Sequence, residues 1–357
     1  MAEMSYFDDI REVAELQLPW EKLDNCNILI AGATGLIGSC LVDVMMARPN
    51  RNYHVCAMGR NQRRMEQLFG KYQLDERFHP IIGDVTKPLS IPLPIHYIVH
   101  AASGAAPSEF SSHPVEVMKA NINGVINLME YGIHHQMKRF LYVSSGEIYG
   151  EGDGRVFTED DSGYVNCNTP RSCYPSSKRA AETLCASYAA EYGADAVIAR
   201  PCHIYGPNFK ETDNRVYAQF IRNILKGEDI IMKSTGEQFR SWCYVVDCVS
   251  ALLFVLLKGS SGQAYNVADS ASVLSIGQLA EMLAEIGHCK VIMKVPSEME
   301  KKGYNLVSKS VFSVDKLEEL GWKVSGSMQE KLAKTVNYLK EKNNDDIRYN
   351  SSLLYRF

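Results

Sequence analysis

The chain has 357 residues, 46% hydrophobic and 22% charged, with a formal net charge of −4; this is ordinary globular composition, enough for one large domain or two interleaved ones. It holds no long basic run, so neither nucleic acid nor an anionic membrane surface is an implied partner. No apolar stretch approaches the roughly 20 residues that cross a bilayer, and the acidic, amphipathic beginning is unlike a signal peptide, so the expected location is cytoplasmic.

Residues 1–26 read as a helical extension, with a short helix over 8–16 laid on the outside of the domain. An uncharged strand over 27–31 then runs into Gly32, Gly35 and Gly38, and 36–46 carries apolar residues at helical spacing. Strand, glycine turn and helix form a phosphate cradle. Gly32 lets the chain turn, Gly35 admits backbone N–H groups to a pyrophosphate, and Gly38 lets the helix lie close to the sheet. Thr34, Leu36 and Ile37 belong to the same turn.

A second strand over 53–58 ends in Gly59-Arg60-Asn61 and leads to a helix over 63–69. An acid at that turn would accept the 2′-hydroxyl of NAD, whereas an Arg suits the 2′-phosphate of NADP. Arg60 reads equally well as a solvated surface residue, so the choice of cofactor stays open. Strands over 78–82 and 95–100 end in Gly83-Asp84-Val85 and Ala101-Ala102-Ser103. A helix over 115–132 contains Asn121, and a strand over 140–144 leads to Ser144, Ser145 and Glu147. Strands alternating with helices predict an α/β fold with a Rossmann doubly wound parallel sheet, whose strand ends converge on one crevice.

The polar stretch 151–173 reads as a loop over the site, followed by a helix over 176–192, a strand over 196–199 and a turn holding Pro201 and His203. Later helices are expected near 217–226, 246–258, 276–286 and 328–341, with strands at 230–232 and 265–267. The expected division is a Rossmann domain over 27–200, a smaller interleaved α/β substrate domain over 201–342 and a tail over 343–357. Ten cysteines stand singly without a C-x-x-C pair, which predicts buried thiols and neither disulfides nor a metal site.

Tyr174 and Lys178, four apart at a helix start, share one face. An ammonium near a phenol favours the phenolate, so the expectation is a Tyr174 with lowered pKa, usable as a proton acceptor, while Lys178 also binds a ribose hydroxyl.

These motifs occur in order: Gly32-x-x-Gly35-x-x-Gly38, Asp84-Val85, His100-Ala101-Ala102, Ser144-Ser145-x-x-x-Tyr149-Gly150, Tyr174-x-x-x-Lys178 and Arg200-Pro201-x-x-x-Tyr205-Gly206-Pro207. With them, the chain resembles the extended short-chain dehydrogenase/reductase family of nucleotide-sugar epimerases, dehydratases and decarboxylases. Pro170-Arg171-Ser172-Cys173-Tyr174, Asn214-Arg215-Val216 and Gly236-Glu237-Gln238-Phe239-Arg240 bring it nearest to the UDP-glucuronate decarboxylases. The resemblance implies a tightly held nicotinamide cofactor, NAD by family default, NADP if the Gly59-Arg60 turn decides. It would be bound by the glycine turn, Arg60, Asp84, Val85, Ala101, Ala102, Ser103, Asn121, Ser144, Tyr174, Lys178, Pro201 and His203.

By the same resemblance Tyr174 takes the C4 hydroxyl proton of a nucleoside-diphosphate sugar, Ser145 hydrogen-bonds that oxygen and Glu147 acts near C5. Arg215 and Arg240 match positions that grip the diphosphate and ribose. Lys309 stands where decarboxylases hold an Arg for the carboxylate, and His203 where an Asn is usual. Gly146 replaces the Asp of the dehydratases, which disfavours dehydration. Epimerisation at C4 or C5 is the leading expectation; decarboxylation and net NADP-dependent reduction of a 4-keto sugar are the alternatives. A homodimer through the Tyr174 helix and the 115–132 helix is expected by resemblance.

Overall fold

The computed structural model describes residues 5–294 and 308–354, with side chains to 343. Its strands are β1 (Asn27–Ala31), β2 (His54–Gly59), β3 (Phe78–Ile82), β4 (Tyr97–His100), β5 (Arg139–Val143), β6 (Ala196–Pro201), β7 (His203–Tyr205), β8 (Ile230–Met232), β9 (Phe239–Tyr244), β10 (Ala264–Val267), β11 (Val273–Ser275), β12 (Val291–Met293) and β13 (Lys309–Ser310). The helices are α1 (Tyr6–Ala14), α2 (Leu36–Ala47), α3 (Gln62–Phe69), α4 (Pro107–Ser112), α5 (Pro114–His134), α6 (Cys173–Tyr192), α7 (Val216–Leu225), α8 (Val245–Lys258), α9 (Ile276–Gly287), α10 (Asp315–Glu318) and α11 (Met328–Leu354).

Seven strands form the central sheet in the order β10-β6-β5-β4-β1-β2-β3, and every neighbouring pair is parallel. The order reverses between β1 and β4, so the crevice at their C-terminal ends is the topological switch point where ligands bind in such folds. Alternation along β1 explains why both faces are covered. Ile28 and Ile30 enter one apolar core with α2 and α8, while Leu29 and Ala31 enter a second with α5 and α6.

The second half contributes β10 to the central sheet and builds its own small sheet from β11, β9, β13 and β7. Of its strands, β7, β9, β11, β12 and β13 were not foreseen. They are mostly three residues long or less, too short to show a period of two, and β9 is buried along nearly its whole length.

The N-terminal helix differs from its expected role. A capping box between Ser5 and Asp8 starts α1, and its Tyr6, Ile10, Val13 and Ala14 are buried in the larger core. Asp9 takes an ion pair from Lys334 on α11, 2.7 Å away, so α1 is a clasp between chain ends rather than an outer appendage. Helix α11 itself continues from 328 to 354, through most of the stretch read as a tail.

Candidate active site

Gly32 follows β1 at the switch point with φ +86°, and a Cβ there would lie 2.6 Å from the backbone of Ala101 and Ala102. A Cβ on Gly38 would sit 2.3 Å from the Gly32 carbonyl oxygen. Only glycine permits this close approach of turn, helix and β4. Helix α2 begins after Gly35 with no side chain capping it, so its first-turn N–H groups and dipole face the crevice for an anion. Thr34, Leu36 and Ile37 are partly accessible there while the strand and helix around them are buried. The hydroxyls of Ser103 and Ser144 are enclosed without a protein partner, the state that a bound polar group relieves.

These features fit a dinucleotide, whose pyrophosphate the Gly32–Ile37 turn would hold. Asp84 and Val85 are shaped from within: the Asp84 carboxylate accepts from the Thr86 N–H at 2.9 Å, and Asn127 donates to the Val85 carbonyl at 2.7 Å. Pro201 closes β6 at the same edge.

Of the expected cofactor contacts, Asn121 is enclosed and Arg60 is open to solvent. Asn121 is fully buried; it donates to Ser177 Oγ at 2.9 Å and accepts from the Tyr142 hydroxyl at 3.4 Å. Its amide is paired between α5 and α6, in a core where an unpaired one would be costly. Arg60 is exposed. The guanidinium that meets the glycine turn is that of Arg64, one turn along α3, donating to the carbonyls of Thr34 at 3.0 Å and Asn208 at 3.1 Å.

Helix α6 presents Tyr174 and Lys178 as the spacing requires. Tyr174 is buried, and Ser145, whose Oγ accepts the Glu147 N–H at 3.2 Å, acts on its phenol to favour the phenolate. Lys178 is 2% exposed. It donates to the Val143 carbonyl at 2.7 Å and lies 4.7 Å from the Tyr142 ring centre and 5.7 Å from that of Tyr174.

The electrostatics run against the expectation. Burial pushes Tyr174 up to about 12, although Ser145, Arg215 and Arg171 favour the phenolate. Burial also drives Lys178 down to about 7, against the pull of Glu182 and Cys185. Desolvation outweighs pairing here, since both groups are enclosed by strand ends and helices.

Glu147 is held by a guanidinium that sequence reasoning left without a role. Arg171 grips both its carboxylate oxygens, at 2.9 and 2.8 Å. The same guanidinium lies 4.7 Å over the Phe110 ring, which stacks on Tyr174 with centroids 4.7 Å apart. Carboxylate, guanidinium, ring and phenol thus form one column; the only sequence signal was Arg171's place three before Tyr174. Arg200, nearby on β6, forks onto Glu182 and donates to the Tyr149 hydroxyl at 3.0 Å. Gly146 is required by packing, since a Cβ there would lie 2.4 Å from Phe312 Cζ.

On the substrate side, Arg215 is half-buried, paired with Asp213 through Nε at 3.0 Å, and its charge acts on Tyr174. Arg240 is 3% exposed. Burial pushes it down to about 10 while Glu147 opposes. Strand β13 pairs Lys309 with Phe239, the neighbour of Arg240, and leaves Lys309 half-buried. His203 packs against Trp242 with its Nδ1 enclosed and unpartnered. Burial, then Arg240 and Arg215, push it down to about 3, so it is a neutral imidazole.

A switch-point crevice with an uncapped helix start, beside a buried Tyr–Lys pair with Ser and Glu, defines a dinucleotide-dependent enzyme of the Rossmann type. The model of the NAD dependent epimerase/dehydratase family matches residues 28–268. The chain belongs to that family, the extended short-chain dehydrogenase/reductases whose members act on nucleotide sugars. It is 32% identical over 313 residues to UDP-glucuronic acid decarboxylase 6 of Arabidopsis thaliana, covering 86% of this chain and 87% of that one. UDP-glucose 4-epimerase from Thermotoga maritima, solved with UDP-glucose, superimposes with TM-score 0.76 at 25% identity over 88% of this chain and 99% of that one. UDP-glucuronic acid 4-epimerase from Bacillus cereus, solved with UDP-glucuronic acid and NAD, shares the fold with TM-score 0.73 at 22% identity, over 88% and 99%.

Proposed function

We propose that the chain oxidises C4 of a nucleoside-diphosphate sugar transiently, inverts C4 or C5 and regenerates the hydroxyl, with Ser145, Glu147, Tyr174 and Lys178 as its catalytic set. The observation that carries this reading is the placing of the buried Tyr174 and Lys178 one turn apart on α6, with Ser145 acting on the Tyr174 phenol. Tyr174 takes the C4 hydroxyl proton as the C4 hydrogen leaves as hydride, and a C4 ketone forms. A dinucleotide held on the glycine turn would supply the hydride acceptor and give the hydride back. Ser145 holds the oxygen, and Arg215 with Arg171 favours the phenolate form that Tyr174 must reach, against its burial, before it can accept that proton; the phenolate charge passes to the C4 oxygen as the proton moves and is lost as the ketone forms. The ketone acidifies C5, beside which Glu147 would act as acid or base.

Arg215 and Arg240 would grip the diphosphate, guanidinium being suited to phosphate oxygens, and the neutral His203 would hydrogen-bond nearby. Decarboxylation is the second reading, favoured by the likeness to UDP-glucuronic acid decarboxylases; Lys309 would then meet the carboxylate. Dehydration is opposed by Gly146, because Phe312 occupies the space of a side chain there.

The chain would work as a cytoplasmic homodimer, its substrate domain being 201–342. The exposed Val115 and Met118 on α5 support the dimer, and no helix among the described residues is long and apolar enough to cross a membrane. The test is mass spectrometry of products from a panel of nucleotide sugars that includes UDP-glucuronate. Unchanged mass with altered retention supports epimerisation, whereas loss of carbon dioxide replaces it with decarboxylation. Undiminished turnover by Tyr174→Phe would sink both.

A further inference from the structure

The net charge of the chain is −4, yet one pocket in its second half is walled by cations. It lies between α7, β8 and β12, has a volume of about 530 Å³ and is lined by Arg222, Lys226, Lys233 and Lys294, with Ile231 as its apolar part. No carboxylate of the described residues lines it. The acids of the flanking turns are engaged. Asp213 forks onto Arg215, Glu228 accepts from the Asn223 amide at 3.1 Å and Asp229 accepts the Lys290 N–H at 2.8 Å.

The backbone sets these cations against one another. Arg222 and Lys226 stand four apart at the end of α7, a like-charged pair that weakens a helix. Strands β8 and β12 are parallel with Met232 opposite Met293, and the Lys294 N–H donates to the Met232 carbonyl at 2.8 Å. Lys233 and Lys294 therefore leave the two strand ends side by side, where like charges repel. Arg222 is half-buried; its Nη2 donates to the Asp213 carbonyl, and its guanidinium lies 5.7 Å from the Phe209 ring centre. Its Nη1 is enclosed with no partner among the described residues. The Arg222 charge also reaches the Asp213 carboxylate, but Arg215 already holds both oxygens of that group. An enclosed donor among like charges is satisfied by an anion, and a guanidinium suits phosphate oxygens.

We propose that this pocket binds the phosphate of a nucleotide-sized molecule, with Arg222 as the fixed ligand and Lys226, Lys233 and Lys294 around it. The volume is too large for a bare ion and falls in the range of small-molecule sites, roughly 300–1,000 Å³. Asp213 couples the pocket to the substrate side, its carboxylate held by Arg215 and its carbonyl by Arg222. Two sources share this chemistry: a phosphate of the nucleotide substrate and that of a separate effector. Only the first rests on the reaction proposed above.

The test is lysine labelling of the full-length protein with an amine-reactive ester, read site by site by mass spectrometry as inorganic pyrophosphate is added at constant ionic strength. Lys226 and Lys294 should lose reactivity together and saturably, about tenfold once pyrophosphate stands at ten times its Kd. The exposed Lys119 and Lys323 should keep theirs. Lys226→Glu, a change at an exposed position, should raise the pyrophosphate concentration that protects Lys294 by about tenfold, and Arg222→Gln should do likewise. A repeat with UDP separates the sources, and either result supports the site. UDP that protects the same lysines and blocks pyrophosphate assigns it to the substrate, whereas pyrophosphate protection unchanged by UDP assigns it to an effector. Reactivity lost evenly over all lysines, none lost at Lys226 and Lys294, or protection that both variants leave unchanged would overturn the proposal. None of these readouts requires turnover, so such a failure leaves the proposed reaction standing.

Discussion

Lys178 makes the folded protein's stability depend on pH in a calculable way. Its pKa falls from 10.5 to about 7 on folding because burial disfavours the ammonium. Between those values the unfolded chain binds more protons at this position than the folded one, so stability rises with pH through that window and is lost as pH falls through it. From pH 7 to pH 9 the contribution of this one lysine amounts to about 2 kcal/mol. Lys178→Met keeps the length and removes the titration. The assay is urea unfolding of parent and variant at pH 7, 8 and 9, comparing the difference between them. The variant should gain on the parent at pH 7 by about 2 kcal/mol more than it does at pH 9. A difference that stays constant across the series would show that Lys178 is not desolvated in the folded chain, and the ordering of burial over pairing in this site would be wrong.

Three further outcomes follow from the geometry. Gly32→Ala places a side chain at φ +86° and 2.6 Å from the Ala101 backbone; it should cost about 2–4 kcal/mol by thermal unfolding and abolish nucleotide binding. Gly146→Ala should cost about 1–3 kcal/mol through its contact with Phe312, and Phe312→Leu should recover part of that loss; strictly additive losses would mean the two do not touch. Arg171→Gln and Glu147→Gln should each lower kcat more than they change KM, with the double variant no worse than either. The pair is under a third exposed on both sides, so a double-mutant cycle on stability should give a coupling of about 1–2 kcal/mol, and none would mean the fork is not formed.

The sheet, its switch point and the glycine cradle were legible in the sequence because buried parallel strands leave uncharged runs and the turns between strand and helix demand glycine. Tyr174 and Lys178 were legible for a local reason: four residues on a helix are one turn, so spacing fixes a shared face. The short strands of the second half were not, since two or three residues carry no period.

Contacts between distant residues were invisible for a different reason. Arg171 on Glu147, Phe110 between Arg171 and Tyr174, and Phe312 over Gly146 join positions separated by many residues of chain, and only the folded backbone decides which side chains meet. Asn121 shows the converse, a polar residue suited to a cofactor that the packing of α5 against α6 turns inward to Ser177 and Tyr142. Charge is subject to the same limit. A Tyr–Lys spacing states which groups are neighbours, but whether attraction or desolvation sets their proton affinity depends on how much water the tertiary structure leaves around them.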